Sequence, residues 1–171
     1  MADPLIALTL WPEWAWTIVS GQSWPEGLVR KMCENRTWHP GKRLAPGSRL
    51  AIHAGKSLGG KLRASETLTR EALGGLLSMF KRANPEHFRP YSLWTADVRD
   101  CPKSAIVAVV TIDGFDRDDR TGWDVPGAWH WRFRSVSVLR EPVPITGKQG
   151  LWKVPEYFAA QVREREVPHV A

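Results

Sequence analysis

The residues best suited to chemistry stand together early in the chain, as Lys31-Met32-Cys33-Glu34-Asn35-Arg36-Thr37-Trp38, followed by His53-Ala54-Gly55-Lys56. Read as a strand from Cys33 to Trp38, the first stretch puts Glu34, Arg36 and Trp38 on one face, because strand side chains alternate. A carboxylate beside a guanidinium invites an ion pair, and the indole adds a flat surface. Together they make a floor able to grip a polar, planar ligand such as a base. The same pattern also describes a solvated face carrying a surface pair worth about 0–1 kcal/mol, and spacing alone does not separate the two. Later, Gly147-Lys148-Gln149-Gly150 offers a charge and an amide between glycines that let the backbone approach a partner closely. It lacks the spacing of a phosphate-binding P-loop.

The charge pattern favours a polyanionic partner. Net charge is +6 over 171 residues, and residues 30–63 hold nine of the cations with a single acid, Glu34. An excess concentrated in one segment is the electrostatic footprint of nucleic acid, although a basic surface also serves solubility. Ten tryptophans exceed what one small core holds comfortably, and aromatic faces beside Arg and Lys are the usual equipment for stacking single-stranded bases. Cys33 and Cys101 are the only cysteines, too few for a disulfide framework or a multi-Cys zinc site. Asp116, Asp118 and Asp119 are interleaved by Arg117 and Arg120 and lack calcium-loop spacing, so Asp113 to Asp124 reads as a solvated charged loop. No metal or cofactor is expected. No apolar run approaches the roughly 20 residues of a membrane span, and the start carries no signal-peptide pattern. A cytoplasmic protein is the default expectation.

The elements that must position these residues follow from periodicity. Leu5–Leu10 is a short buried strand; Trp11-Pro12 opens a helix that stops at Gly21. Gln22 to Arg30 is irregular. Arg49–Ala54 alternates, with Leu50 and Ile52 on one face and Arg49, Ala51 and His53 on the other. Leu68, Ala72, Leu73, Leu76, Leu77 and Phe80 form an apolar stripe of helical period, capped by Ser65 or Thr67, with Gly74-Gly75 a place where it can break. Ala105–Ile112 is β-branched and central, and Trp129–Leu139 alternates. Pro155 to Glu164 is a short terminal helix with Tyr157, Phe158 and Val162 available for packing. The simplest parse is one α+β domain over 1–171, a small, mostly antiparallel β-barrel with peripheral helices and a helical insertion at 57–104.

Taken together these residues resemble the ASCH domain family, a branch of the PUA-like superfamily. The opening Leu8-Thr9-Leu10-Trp11-Pro12 through Ser20-Gly21 matches the family's strand and helix, and Lys31, Glu34 and Arg36 fit the second half of its Gly-x-Lys-x-x-Glu-x-Arg signature. The glycine is displaced to Gly21 by an insertion. His53-Ala54-Gly55-Lys56, the strand at 105–112, Trp129-His130-Trp131 and Gly147 to Trp152 match further, so the resemblance covers roughly 5–56 and 105–158.

The resemblance implies a PUA-like barrel whose cleft binds nucleic acid, RNA ahead of DNA, or a free modified nucleoside. It implies that Lys31, Glu34 and Arg36 line that cleft, with His53 and Lys56 beside them and Lys148 and Gln149 facing from the late loop. Glu34 would accept from an exocyclic amine, Arg36 or Lys31 would hold a phosphate, and Trp11 or Trp38 would stack on a base. Relatives of this fold that deacetylate N4-acetylcytidine use a Lys, a Thr and a Glu. Lys31 matches the Lys, but Glu34 stands where the Thr would fall, which weighs against the same acyl-enzyme amidohydrolase mechanism. A ribonuclease is the other enzymatic alternative, because Lys31, Glu34 and His53 supply acid–base types. Binding ranks first, since the same groups suffice to hold a nucleotide.

Overall fold

The computed structural model describes residues 3–57, 69–86 and 102–167. Along the chain come β1 (Ile6–Leu10), α1 (Pro12–Ser20), β2 (Cys33–Arg36), β3 (Arg49–Ala54), α2 (Thr69–Ala83), β4 (Ala105–Asp116), β5 (Trp129–Pro144), β6 (Leu151–Lys153) and α3 (Glu156–Arg165). The strands form one six-stranded sheet in the order β2-β5-β4-β3-β1-β6. β1 runs parallel to β3, and the other pairings are antiparallel. The sheet curls into a half-barrel with helices around it, the mostly antiparallel α+β arrangement expected.

Alternation decides which side chains reach which core. Leu8 and Leu10 of β1, Leu50 and Ile52 of β3, and Trp131 and Phe133 of β5 pack on one face with Ala15 and Ile18 of α1. Ala7, Ala51, Val109 and Trp152 pack on the other face with Ala159 and Val162 of α3. β1 is covered on both sides, so its sequence is a nearly unbroken apolar run rather than an alternating one. The curl has a local cause. Ile52 pairs with Ala108 and His53 with Ile106, leaving Val107 as the extra residue of a bulge. Val107 and Ala108 consequently both face the α1 side, and such a bulge bends the strand and increases its twist.

Helix α2 closes the end of the sheet near β2. Leu76 and Phe80 are buried with Cys33 and Trp123, and Trp14, Trp16 and Trp24 pack around them. The helix runs straight through the exposed Gly74-Gly75, because packing of Leu76 and Phe80 outweighs the roughly 1 kcal/mol each glycine costs relative to Ala. Leu68 and the proposed caps Ser65 and Thr67 lie outside the described residues, as do the side chains of Ala72 and Leu73. At its C-terminal end, Gly122 lies so close to the backbone of Ala83 that no Cβ would fit between them.

The stretch after the central strand corrects the expectation of a solvated loop. β4 extends to Asp116, and the Asp124 side chain is fully buried. Arg132 donates to Asp124 at 2.7 Å and to Asp116 at 2.8 Å, while Asp124 also accepts the backbone N–H groups of Arg120 and Thr121. These donors hold both carboxyls below their ordinary range against the opposing effect of burial. The Cys33 thiol points at Asp124 from 3.3 Å, and burial pushes it up to about 12, so it stays protonated and inert. Asn35 completes the seam by donating to the Trp123 carbonyl at 2.9 Å and accepting from Val125 N–H at 3.1 Å. Sequence pattern missed all this because charged residues in a row read as solvent-facing unless their partner, here Arg132 on a distant strand, is known.

Smaller differences have equally local reasons. β2 ends at Arg36 rather than Trp38, and β5 runs on to Pro144. Tyr157 is 74% exposed, whereas Val162 of the same helix is buried. Among the described residues no helix is long and apolar enough to cross a membrane.

Arg132→Ala leaves the buried Asp124 without its cation. It should lower the unfolding free energy by about 3–5 kcal/mol, read as a shift in urea midpoint at unchanged slope. Arg134→Ala, which breaks only the exposed pair with Asp113, should change it by less than about 1 kcal/mol.

Candidate functional site

The C-terminal ends of β1 and β3, the end of β2 and the connection between β5 and β6 meet at one end of the half-barrel. Because β1 and β3 are parallel, with Thr9 beside His53 and Leu10 beside Ala54, both strands deliver their last residues to the same place. Two adjoining cavities lie there. The larger, about 710 Å³, is lined by Trp11, Arg36, His53, Lys56 and the Thr146–Gly150 loop among others. The smaller, about 220 Å³, is lined by Thr9, Leu10, Trp11, Trp14, Glu34 and Arg36. Thr9, Leu10, Trp11 and Arg36 belong to both linings.

The charged centre is a chain of three side chains. Lys31, only 1% exposed, donates to the Cys33 carbonyl, reaches Glu34 Oε2 at 3.4 Å and lies 5.6 Å from the Trp14 ring centroid. A buried ammonium needs such partners, since desolvation without them is prohibitive. Glu34 Oε1 faces Arg36 Nε at 3.1 Å, and Arg36 Nη2 donates to the Thr9 carbonyl at 3.4 Å. β2 and β1 are not neighbours in the sheet, so this last contact spans the mouth of the half-barrel.

The second centre is His53, also 1% exposed. Its Nε2 bonds the Ile145 carbonyl at 2.9 Å, its ring meets Trp152 edge-on at 5.6 Å, and its Nδ1 has no hydrogen-bond partner among the described residues. Burial lowers its pKa, against the opposing effect of the Ile145 carbonyl, so the ring is neutral with Nε2–H donating and Nδ1 left as an acceptor. Gly147 covers it: a Cβ there would stand 2.5 Å from Nδ1 and 2.7 Å from Thr9 Oγ1. Thr9 Oγ1 donates to the Lys148 carbonyl at 2.8 Å and accepts from Trp152 Nε1 at 3.1 Å, which pins the loop to β1. Ser104 ties the remaining segments together, its N–H on the Gly55 carbonyl at 3.2 Å and its carbonyl accepting Ile145 N–H at 3.0 Å.

The structure thus brings Trp11, Glu34, Arg36, His53, Lys56, Lys148 and Gln149 to one cleft. Lys31 sits beneath it rather than on its wall, and Trp38 stands outside it. The Trp38 ring packs edge-on against Trp131 with centroids 4.9 Å apart, and it lines neither cavity. Strand alternation put Trp38 with Glu34 and Arg36 on the assumption that β2 continued, but β2 stops at Arg36. Sequence reading passed over Thr9 and Trp14 as site residues, and it gave Gly147 a close approach to a ligand where the structure packs it on His53. Thr9 carried a usable signal, a hydroxyl inside a buried apolar strand, which must find partners.

Gly147→Ala should displace the loop, giving faster amide exchange over 146–150 and a stability loss of about 1–3 kcal/mol. Gly74→Ala, at an exposed helical position with open space around it, should stabilise by about 0.5–1 kcal/mol. For His53 the unfolded chain binds more protons than the folded one below the ordinary value of 6.5. Stability should therefore fall as pH drops through and below 6.5, and His53→Gln should flatten that dependence in urea titrations.

No protein-family model and no curated protein matches the chain. Solved structures do. The crystal structure of ASCH from Zymomonas mobilis matches with a TM-score of 0.52 at 13% identity, over 97% of this chain and 98% of that one. Two single-substitution mutants of that protein match similarly, one with a TM-score of 0.52 at 13% identity over 96% and 97%. The other has a TM-score of 0.51 at 14% identity over 96% and 100%. At such identities the likeness speaks for backbone architecture, and on that ground the chain has an ASCH-like fold.

Proposed function

We propose that this cleft binds single-stranded nucleic acid, RNA ahead of DNA, and holds it without cutting it. The observation that carries the reading is Trp11, 51% exposed at the junction of the two cavities, with Arg36, Lys56 and Lys148 on the lining and Glu34 the one carboxylate among the described lining residues. An uncovered indole surrounded by cations suits a base stacked on the ring and phosphates held at the rim. Glu34 is already matched by Lys31 and Arg36, so it adds recognition without repelling a polyanion. The preference for RNA draws on the ASCH-like fold and on what the family resemblance implies.

The enzymatic alternatives rest on Lys31, Glu34 and His53. Lys31 is sealed under Glu34 and committed to a backbone carbonyl, and His53 Nδ1 lies under Gly147. Of the three, Glu34 fronts the small cavity and His53 the adjoining larger one, while Lys31 lines neither. A ribonuclease or an amidohydrolase needs a base, an acid and a cation at one reacting centre, and this arrangement favours holding over cleaving.

Binding of a labelled single-stranded RNA, read at two salt concentrations with strand length checked on a denaturing gel, tests the proposal. Affinity should fall with salt, and Lys56→Ala or Lys148→Ala should each reduce the salt slope by about 0.7. Trp11→Ala should cost about 1–3 kcal/mol of binding with the RNA left intact. Salt-insensitive binding, or shortening of the strand by the wild-type protein, would overturn it.

A further inference from the structure

Resting on the nucleic-acid reading above, we propose that the small cavity is a guanine pocket. Its lining combines two tryptophans, Trp11 and Trp14, with the Glu34–Arg36 ion pair. Most other polar groups there are spent. The Thr9 carbonyl is taken by Arg36, the Leu10 carbonyl by Gly55 N–H at 2.7 Å, and Thr9 Oγ1 by Trp152 and Lys148.

What remains is the outer side of one ion pair. A carboxylate offers about four lone-pair sites, and Lys31 and Arg36 engage Glu34 once at each oxygen, leaving an acceptor on each. Arg36 has about five N–H donors; one reaches the Thr9 carbonyl, and Nε pairs with Glu34 by charge at 3.1 Å without a hydrogen bond, leaving donors for a ligand. The polar end therefore combines guanidinium donors with a neighbouring pair of carboxylate acceptors, set side by side in the proposed pocket as a donor and two acceptors.

The edge that complements this row is acceptor, donor, donor, and guanine carries it as O6, N1–H and the 2-amino group. Paired N–H donors on a carboxylate form the bidentate contact that gives both strength and geometry. Uracil has one N–H between two carbonyls, which would face a carboxylate with lone pairs. The amines of adenine and cytosine sit beside acceptor nitrogens, so either base gives Glu34 one contact and leaves its second oxygen facing a lone pair. The exposed Trp11 face then stacks on whichever base enters, and Glu34 decides which stays.

The test uses the full chain and oligouridine strands carrying one central guanosine, adenosine, cytidine or inosine, with oligouridine itself as reference. The guanosine strand should bind about tenfold or more tightly than the reference. Inosine, which keeps O6 and N1–H but lacks the amine, should lose a large part of that gain. Glu34→Gln should abolish the preference. Because Glu34 also partners buried Lys31, that variant can lose its fold, and the inosine comparison on the wild-type protein then decides. Equal binding of every strand would overturn the guanine assignment while leaving nucleic-acid binding intact. A cytidine preference would overturn it too, pointing to one amine on Glu34 with Arg36 on N3 and O2. Failure of every strand to bind would overturn the underlying reading as well.

Discussion

The Glu34 carboxylate, held between the buried Lys31 ammonium and the Arg36 guanidinium, is the interaction on which the arrangement turns. Lys31 has little access to solvent, and among the described residues Glu34, the Cys33 carbonyl and the Trp14 face surround its side-chain nitrogen. Through Arg36 the same carboxylate is linked to the Thr9 carbonyl, and so to the opposite lip of the half-barrel. One ion-pair chain thus does two jobs. It neutralises a cation the fold has taken out of water, and it fixes how far apart β2 and β1 stand across the cleft. A buried pair of this kind adds little net stability compared with an apolar substitute; its value lies in setting geometry and in leaving polar edges exposed to a ligand.

That geometry also depends on features far from any charge. The parallel pairing of β1 with β3 puts Thr9 and His53 side by side, and the bulge at Val107 curls the sheet that carries them. Helices α1 and α3 cover the two faces with Ala15 and Ile18 on one side and Ala159 and Val162 on the other. The cleft is accordingly built on strand ends whose opposite sides are fully packed, which is where a rigid scaffold positions loops best.

Much of this was legible in the sequence because it follows from local periodicity. The β1–α1 opening, the alternation of β3 and the central β4 come directly from apolar spacing, and Arg36 and Lys56 of the basic segment line the larger cavity. What was not legible depends on long-range partners. Whether Lys31 lies on the wall or beneath it turns on Trp14 and the Cys33 carbonyl. Whether Asp124 faces water or the interior turns on Arg132. Trp38 left the cleft because β2 ended one turn of the alternation too early, a boundary of the kind that pattern reading fixes least well.

His53 Nδ1 under Gly147 has an energetic meaning of its own. A buried acceptor left unmade carries a cost of about 1–3 kcal/mol, and here it comes with the packing of Gly147 on the ring. The Thr9 bond to Lys148 holds the loop down while the idle lone pair pushes the balance the other way. Arg36 Nε in the same cleft is likewise buried without a hydrogen-bond partner among the described residues, so unmet polar capacity gathers at this end of the half-barrel. The two unmet groups, an acceptor on His53 and a donor on Arg36, are therefore where a polar ligand entering this cleft would have the most to gain.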